Sequence, residues 1–173
     1  MCEKATLNGA LFEKEKNLKD YFIRHGFDVM ADKDYGFSVF RKGEVVTDIL
    51  ILTKTELYAF LKDTSDFETY KGITSRRNDP DAVVVVGNVI HIIEMKFQSE
   101  GKDTQYAILP YCDFKKRQYQ KLVNGLDYKI KFHYLLSDNM NVPRNKDIFQ
   151  YIEDVGCDYY FGEIPLSVFG LES

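Results

Sequence analysis

The apolar positions of this chain recur first with a helical period and then with a strand period, and each change marks an element. Between Ala10 and Arg24 the residues Leu11, Leu18 and Phe22 fall on one stripe with Tyr21 at its edge, and Gly26 stops the run, which predicts a first helix. Phe27–Met30 reads as a strand. Tyr35–Arg41 and Val45–Leu52 read as a hairpin around Lys42-Gly43, although the second run also fits the start of a longer helix. Thr55–Lys62 reads as helical. Two β-branched runs, Ala82–Val86 and Val89–Ile93, flank Gly87-Asn88, the signal for a two-residue type II′ hairpin. Asp113 is a candidate cap for a helix Phe114–Asn124 closed by Gly125. Tyr128–Leu136 alternates as a strand. Lys146–Val155 predicts a helix with Ile148, Tyr151, Ile152 and Val155 inward and a stop at Gly156. A short strand Tyr159–Phe161 and an apolar tail Ile164–Leu171 suited to docking complete the chain, while Ser99–Pro110 has no clear period. The order predicts an α/β fold, a mixed central β-sheet flanked by helices. Cover is needed on both faces because the Val/Ile runs are nearly continuous.

The central hairpin carries the candidate chemistry. If Val86 faces Val89, stepping back along one strand and forward along the other brings Asp81 opposite Glu94 and Asp79 opposite Lys96. Side chains alternate across a strand, so Asp81, Glu94, Lys96 and Gln98 project to one side. Opposed Cβ atoms stand roughly 4.5–5.5 Å apart, close enough for two carboxylates to share one hard cation. Nine of the twelve residues between Asp81 and Glu94 are apolar, so the hairpin is expected to be buried and charges at its end to need a partner or a metal. Without a metal the two carboxylates are expected to repel, so that removing one raises the melting temperature. His91 alternates to the opposite face and reads as packing.

Charge and composition change this picture in three ways. The net charge of −4 does not mark a nucleic-acid binder in bulk, but Asp113–Lys131 holds six basic and two acidic residues. Within it Lys115 and Lys116 are candidate phosphate contacts, as are Arg76 and Arg77 just ahead of Pro80-Asp81 and Gln98 just after the hairpin. The three cysteines lack C-x-x-C spacing and the three histidines lack ligand spacing, which points away from zinc and toward reduced thiols in a cytoplasmic protein. No apolar run reaches membrane-spanning length and no signal peptide is apparent, and the length suits one domain over residues 1–173.

Pro80-Asp81 followed by Glu94-Met95-Lys96 resembles the signature of the PD-(D/E)xK nuclease superfamily. Thr53–Leu171 is similar to short bacterial type II restriction endonucleases in the pieces N-D-P-D-A, I-I-E-M-K-F-Q, C-D-F-K-K-R-Q-Y-Q-K-L and F-G-E-I-P-L-S-V-F-G-L. The match at Glu100-Gly101-Lys102-Asp103-Thr104 is looser. The resemblance implies a restriction-endonuclease-like fold and a Mg²⁺ site, with Mn²⁺ as a substitute, held by Asp81, Glu94 and the carbonyl of Met95. It implies Lys96 as the residue that positions the attacking water, and a restriction-modification role on double-stranded DNA, as a homodimer or with a second subunit. Resolvase-like or repair cleavage, and a catalytically silent DNA-binding or assembly subunit, are the alternatives. Such nucleases often add a carboxylate from the first helix: the string Gly9–Glu13 is similar to archaeal Holliday-junction resolvases and favours Glu13, helical period favours Glu15, and the leading alternative makes both solvated helix charges.

Overall fold

The computed structural model describes residues 12, 16–41, 44–63, 72–98 and 106–171, with only the backbone of 44–48. Among them, seven strands form one sheet whose spatial order repeats the chain order. They are β1 (Asp28–Ala31), β2 (Phe37–Arg41), β3 (Glu44–Leu52), β4 (Ala82–Val86), β5 (Val89–Lys96), β6 (Lys129–Leu136) and β7 (Asp158–Phe161). The first five pair antiparallel, and β5, β6 and β7 pair parallel, so the sheet is mixed. Parallel neighbours need crossovers. A 3₁₀ segment Tyr106–Tyr111 and helix α3 (Cys112–Leu122) join β5 to β6, and α4 (Lys146–Asp154) joins β6 to β7. The other helices are α1 (Leu18–Arg24) and α2 (Glu56–Asp63).

The central hairpin has the expected register, from Val86 opposite Val89 to Ala82 opposite Ile93, with Gly87 at φ +54° in the turn. Burial on both faces fixes this register. Val83, Val85, Ile90 and Ile92 pack under α2, α3 and α4, whereas Val84 and Ile93 pack under α1 and the 3₁₀ turn Leu166–Phe169. A slip of one residue would exchange these faces and carry the acidic residues with them. Each such side chain contributes about 1.5–3 kcal/mol when fully buried, which makes a slip costly.

Three local expectations are corrected. The described part of the first helical region is interrupted, because Asn17 caps α1 by accepting the Lys19 N–H at 2.9 Å. Tyr21 is buried there rather than at an edge. Its hydroxyl donates to the Ile164 carbonyl, and burial, then the Glu163 charge, pushes its phenol up to about 12. Asp113 is not a cap. The 3₁₀ segment runs into α3 with helical angles already at Tyr111 (φ −73°, ψ 0°), and Asp113 pairs with Arg117 at 3.0 Å. In α4 the buried pair is Phe149 and Ile152, while Tyr151 faces solvent. Ile148 and Val155 pack against the core as expected, and Phe149, which stacks on Tyr159 at 4.7 Å, is inward where Tyr151 was expected.

Candidate active site

Five charged groups, Asp81, Glu94, Lys54, Lys96 and Lys115, meet where β4 begins and β5 ends. Asp81 lies one residue before β4, behind the buried Pro80. The strand ladder stops at Ala82 and Ile93, since a proline has no N–H to extend it. Asp81 therefore meets β5 through its side chain, with Oδ2 accepting the Met95 N–H at 2.7 Å. Asp79, expected opposite Lys96, turns instead to Arg77 at 2.6 Å. Glu94 is buried at 4% exposure, and its Oε2 accepts from Lys96 Nζ at 2.9 Å and pairs with Lys115 Nζ at 2.7 Å. Lys96 Nζ also donates to the Met95 carbonyl at 3.1 Å and stands 3.6 Å from Asp81 Oδ2. Lys54 Nζ stands 3.4 Å from Asp81 Oδ1.

Asp81, Glu94, Met95 and Lys96 are thus brought together, as the hairpin register requires. Lys54 and Lys115 complete the cluster. The expected repulsion between carboxylates is offset by three ammonium groups, so removing an acid leaves cations facing one another rather than relieving strain. The turn bearing Lys54 is pinned by Glu56, whose Oε2 accepts from the Thr53 N–H and hydroxyl, both at 2.7 Å. Thr53-x-x-Glu56 is a capping-box pattern, the one sequence signal that fixes this position. Lys115 was legible as a basic helix residue but not as a partner of Glu94. Its spacing of four from the buried Tyr119 puts both on one helix flank.

The lead-in to Asp81 is held from two sides. Tyr58 donates to the Asn78 carbonyl at 2.7 Å and accepts the Asn78 N–H at 3.0 Å. Tyr119 donates to the same carbonyl at 3.3 Å. Burial, reinforced by the charge of Glu94, raises the Tyr119 phenol far above its usual range, so it stays a donor. Arg77 lies over the Tyr58 ring at 4.6 Å and pairs with Asp79, bracing the same segment, while Arg76 is exposed. Gln98 is buried past the end of β5. Its N–H donates to Ser137 Oγ at 3.1 Å, and its Oε1 has no hydrogen-bond partner among the described residues. Lys116 points away from the site, and its Nζ donates to the Val155 and Gly156 carbonyls at 3.2 and 2.6 Å at the end of α4. Glu13, Glu15 and the Glu100–Thr104 stretch lie outside the described residues.

A cleft of about 380 Å³ opens beside Asp81 toward α1 and is lined by Asn17, Lys19, Lys54, Asp81 and Met95 among others. The donor set fits a hard divalent ion. One ammonium already stands within 3.6 Å of two carboxylate oxygens and a main-chain carbonyl, so the three oxygens surround one cation-sized point. Among the described residues no three His, Cys, Asp or Glu side chains converge, which leaves coordination to the carbonyl, water and substrate. Mg²⁺ is commonly held in this way, by one or two carboxylates plus phosphate oxygens.

The opposite face of the same strands holds a second polar cluster. His91 Nδ1 lies 2.9 Å from His133 Nε2, and the rings stack at 5.1 Å. His133 Nδ1 stands 3.3 Å from Asp158 Oδ2, near enough for attraction but poorly aligned for a hydrogen bond. This contact holds the Asp158 carboxyl below its usual range. Burial first, then the neighbouring His133 and Lys131, pushes His91 down to about 3, so it is neutral. Phe169 closes over it at 5.2 Å. His91 does pack, as its alternation indicates, but its partner lies on another strand, 42 residues away.

Among the described residues no helix is long and apolar enough to cross a membrane. Compared with protein-family models, with curated proteins and with solved structures, the chain finds no match in any of the three.

Proposed function

We propose that this chain is a Mg²⁺-dependent endodeoxyribonuclease of the PD-(D/E)xK superfamily, built on a restriction-endonuclease-like fold. The observation that carries the reading is the convergence of Asp81 Oδ2, Glu94 Oε2 and the Met95 carbonyl on the Lys96 ammonium. Asp81, Glu94 and the Met95 carbonyl would hold the ion. When bound, Mg²⁺ supplies Lewis acidity toward the phosphoryl oxygens and makes a nearby water a stronger nucleophile. Lys96 orients that water and offers charge to the developing phosphorane. With an ion on Glu94, Lys115 would be available to a non-bridging oxygen. Lys54 extends positive charge along the cleft.

The leading form of this reading is a type II-like restriction endonuclease, or its catalytic subunit, acting on double-stranded DNA. One site addresses one strand, so a duplex break requires a homodimer or a second subunit. A structure-specific nuclease is the second reading, and the exposed aromatic row described below favours it. The test is plasmid cleavage by purified protein in Mg²⁺, with sequencing of the ends. EDTA is expected to abolish cleavage and Mg²⁺ or Mn²⁺ to restore it, while Ca²⁺ supports little turnover. Cleavage that survives excess chelator, or that persists in a folded Glu94→Gln protein, overturns the proposal.

A further inference from the structure

The segment that leads into α3 has two opposite rows. In a 3₁₀ helix, residues three apart eclipse one another. Tyr106, Leu109 and Cys112 form the buried row, with exposures of 7%, 0% and 0%. Ile108, Tyr111 and Phe114 form the other, with exposures of 39%, 60% and 60%. Two large rings are therefore held in solvent at the start of the helix that carries Lys115. At about 100° per residue, Tyr111 lies some 40° from Lys115 around the helix and Phe114 some 100° beyond it on the same side. Lys116 lies on the other flank, where it reaches the end of α4. Lys115 is turned to Glu94, so Tyr111 stands about one helical turn from the acid cluster's own lysine, with Phe114 further round the same flank.

Aromatic surface in this position is a poor match for duplex DNA, whose bases are stacked on one another. It suits bases that have no partner, because any base offers a π-face to a ring. A basic residue follows it directly: Lys115 is next to Phe114 in the helix, with its ammonium on Glu94. We propose that Tyr111 and Phe114 form a stacking platform for unpaired nucleotides adjacent to the scissile phosphate. The inference rests on the nuclease reading in its structure-specific form and sets single-stranded, gapped or branched DNA as the substrate. Ile108 extends the platform along the row.

The experiment compares fluorescent single-stranded, two-nucleotide-gapped and fully paired oligonucleotides of one sequence, bound in Ca²⁺ to suppress turnover. A 2-aminopurine is placed at the unpaired position to report stacking. Wild-type protein is expected to bind the unpaired forms at least about tenfold tighter than duplex and to quench the probe. Phe114→Ala and Tyr111→Ala should each lose from about fivefold to about a hundredfold of that affinity, the range seen for base–aromatic stacking, and Phe114→Trp should retain it. Both positions are exposed, so the variants are expected to stay folded. Equal affinity for paired and unpaired DNA overturns the proposal, as do alanine variants that bind like wild type. It is also overturned if the variants change sedimentation of the protein without changing single-strand affinity, because the row is then a contact between copies. A protein that cuts duplex plasmid in Mg²⁺ with no preference for unpaired DNA sinks only the platform, whereas one that cuts no DNA of any form sinks the nuclease reading itself.

Discussion

Two polar clusters sit on opposite faces of β5, and they are handled differently. At the end of the strand, Glu94 is buried against the ammonium groups of Lys96 and Lys115, and Asp81 beside it lines a cleft with Lys54. In the middle of the strand, His91 is buried as a neutral ring against His133 and sealed by Phe169. Burying charge is costly unless each charge is paired. A neutral hydrogen-bonded pair costs far less, and it can be closed under an apolar turn. In the ion cluster each carboxylate instead has a lysine ammonium within 3.4 Å. The histidine pair holds one packing arrangement and offers no route to solvent through Phe169.

The largest expected effect separates the clusters by activity. Asp81→Asn, Glu94→Gln and Lys96→Ala should each lower DNA cleavage by about a thousandfold or more with the circular dichroism spectrum unchanged. Near-wild-type cleavage by a folded Lys96→Ala protein would remove that residue from the chemistry. His91→Ala should do the reverse, lowering stability by about 2–3 kcal/mol in urea melts through a cavity and an orphaned His133 nitrogen. Its turnover per folded molecule should stay unchanged, and a loss of turnover with unchanged stability would mean the faces are coupled.

Acid sharpens the contrast. The folded value of His91, about 3, lies below that of the unfolded chain, so the unfolded state takes up the proton first. Stability is then fully present above pH ~6.5 and falls as the pH drops toward 3, by about 2 kcal/mol between pH 7 and pH 5. Asp158, held below its usual range, adds to the loss at still lower pH. Urea melts at successive pH values should show this slope, and His91→Leu should flatten it. A slope unchanged by His91→Leu would place the responsible proton elsewhere.

The smallest expected effect separates adjacent lysines. Lys116→Ala should cost less than about 1 kcal/mol by uncapping α4 and leave DNA affinity as it was. Lys115→Ala should weaken DNA binding and reduce its salt slope by about one phosphate contact. Equal salt slopes for the two variants would remove Lys115 from the phosphate path.

The acid pair and Lys96 were legible because they lie within sixteen residues of sequence and one hairpin fixes their faces. The strand positions followed from period-two runs with strong turn residues. What escaped was whatever depended on a crossover. Lys54 arrives on the turn before α2, Lys115 and Tyr119 on α3, and His133 on β6, and no local period ties these to the hairpin. Asp113 and the inner face of α4 were misread for a related reason. A preceding 3₁₀ segment displaced the cap, and in α4 Phe149 rather than Tyr151 joined Ile148, Ile152 and Val155 on the helix's inner face. Lys116 was unreadable as a cap because its acceptors lie 39 and 40 residues downstream.

The strand order has a kinetic consequence. Because each strand of the sheet lies beside the one before it in the chain, every pairing step closes a comparatively short loop and can template the next. The contact between Tyr21 and Ile164 is different, spanning 143 residues, and it belongs to the turn that covers His91. Loop closure makes this the entropically slowest contact to form. The antiparallel strands can therefore form one after another and the parallel pair β6 and β7 add through their crossovers, while the face over His91 closes only when the last turn docks.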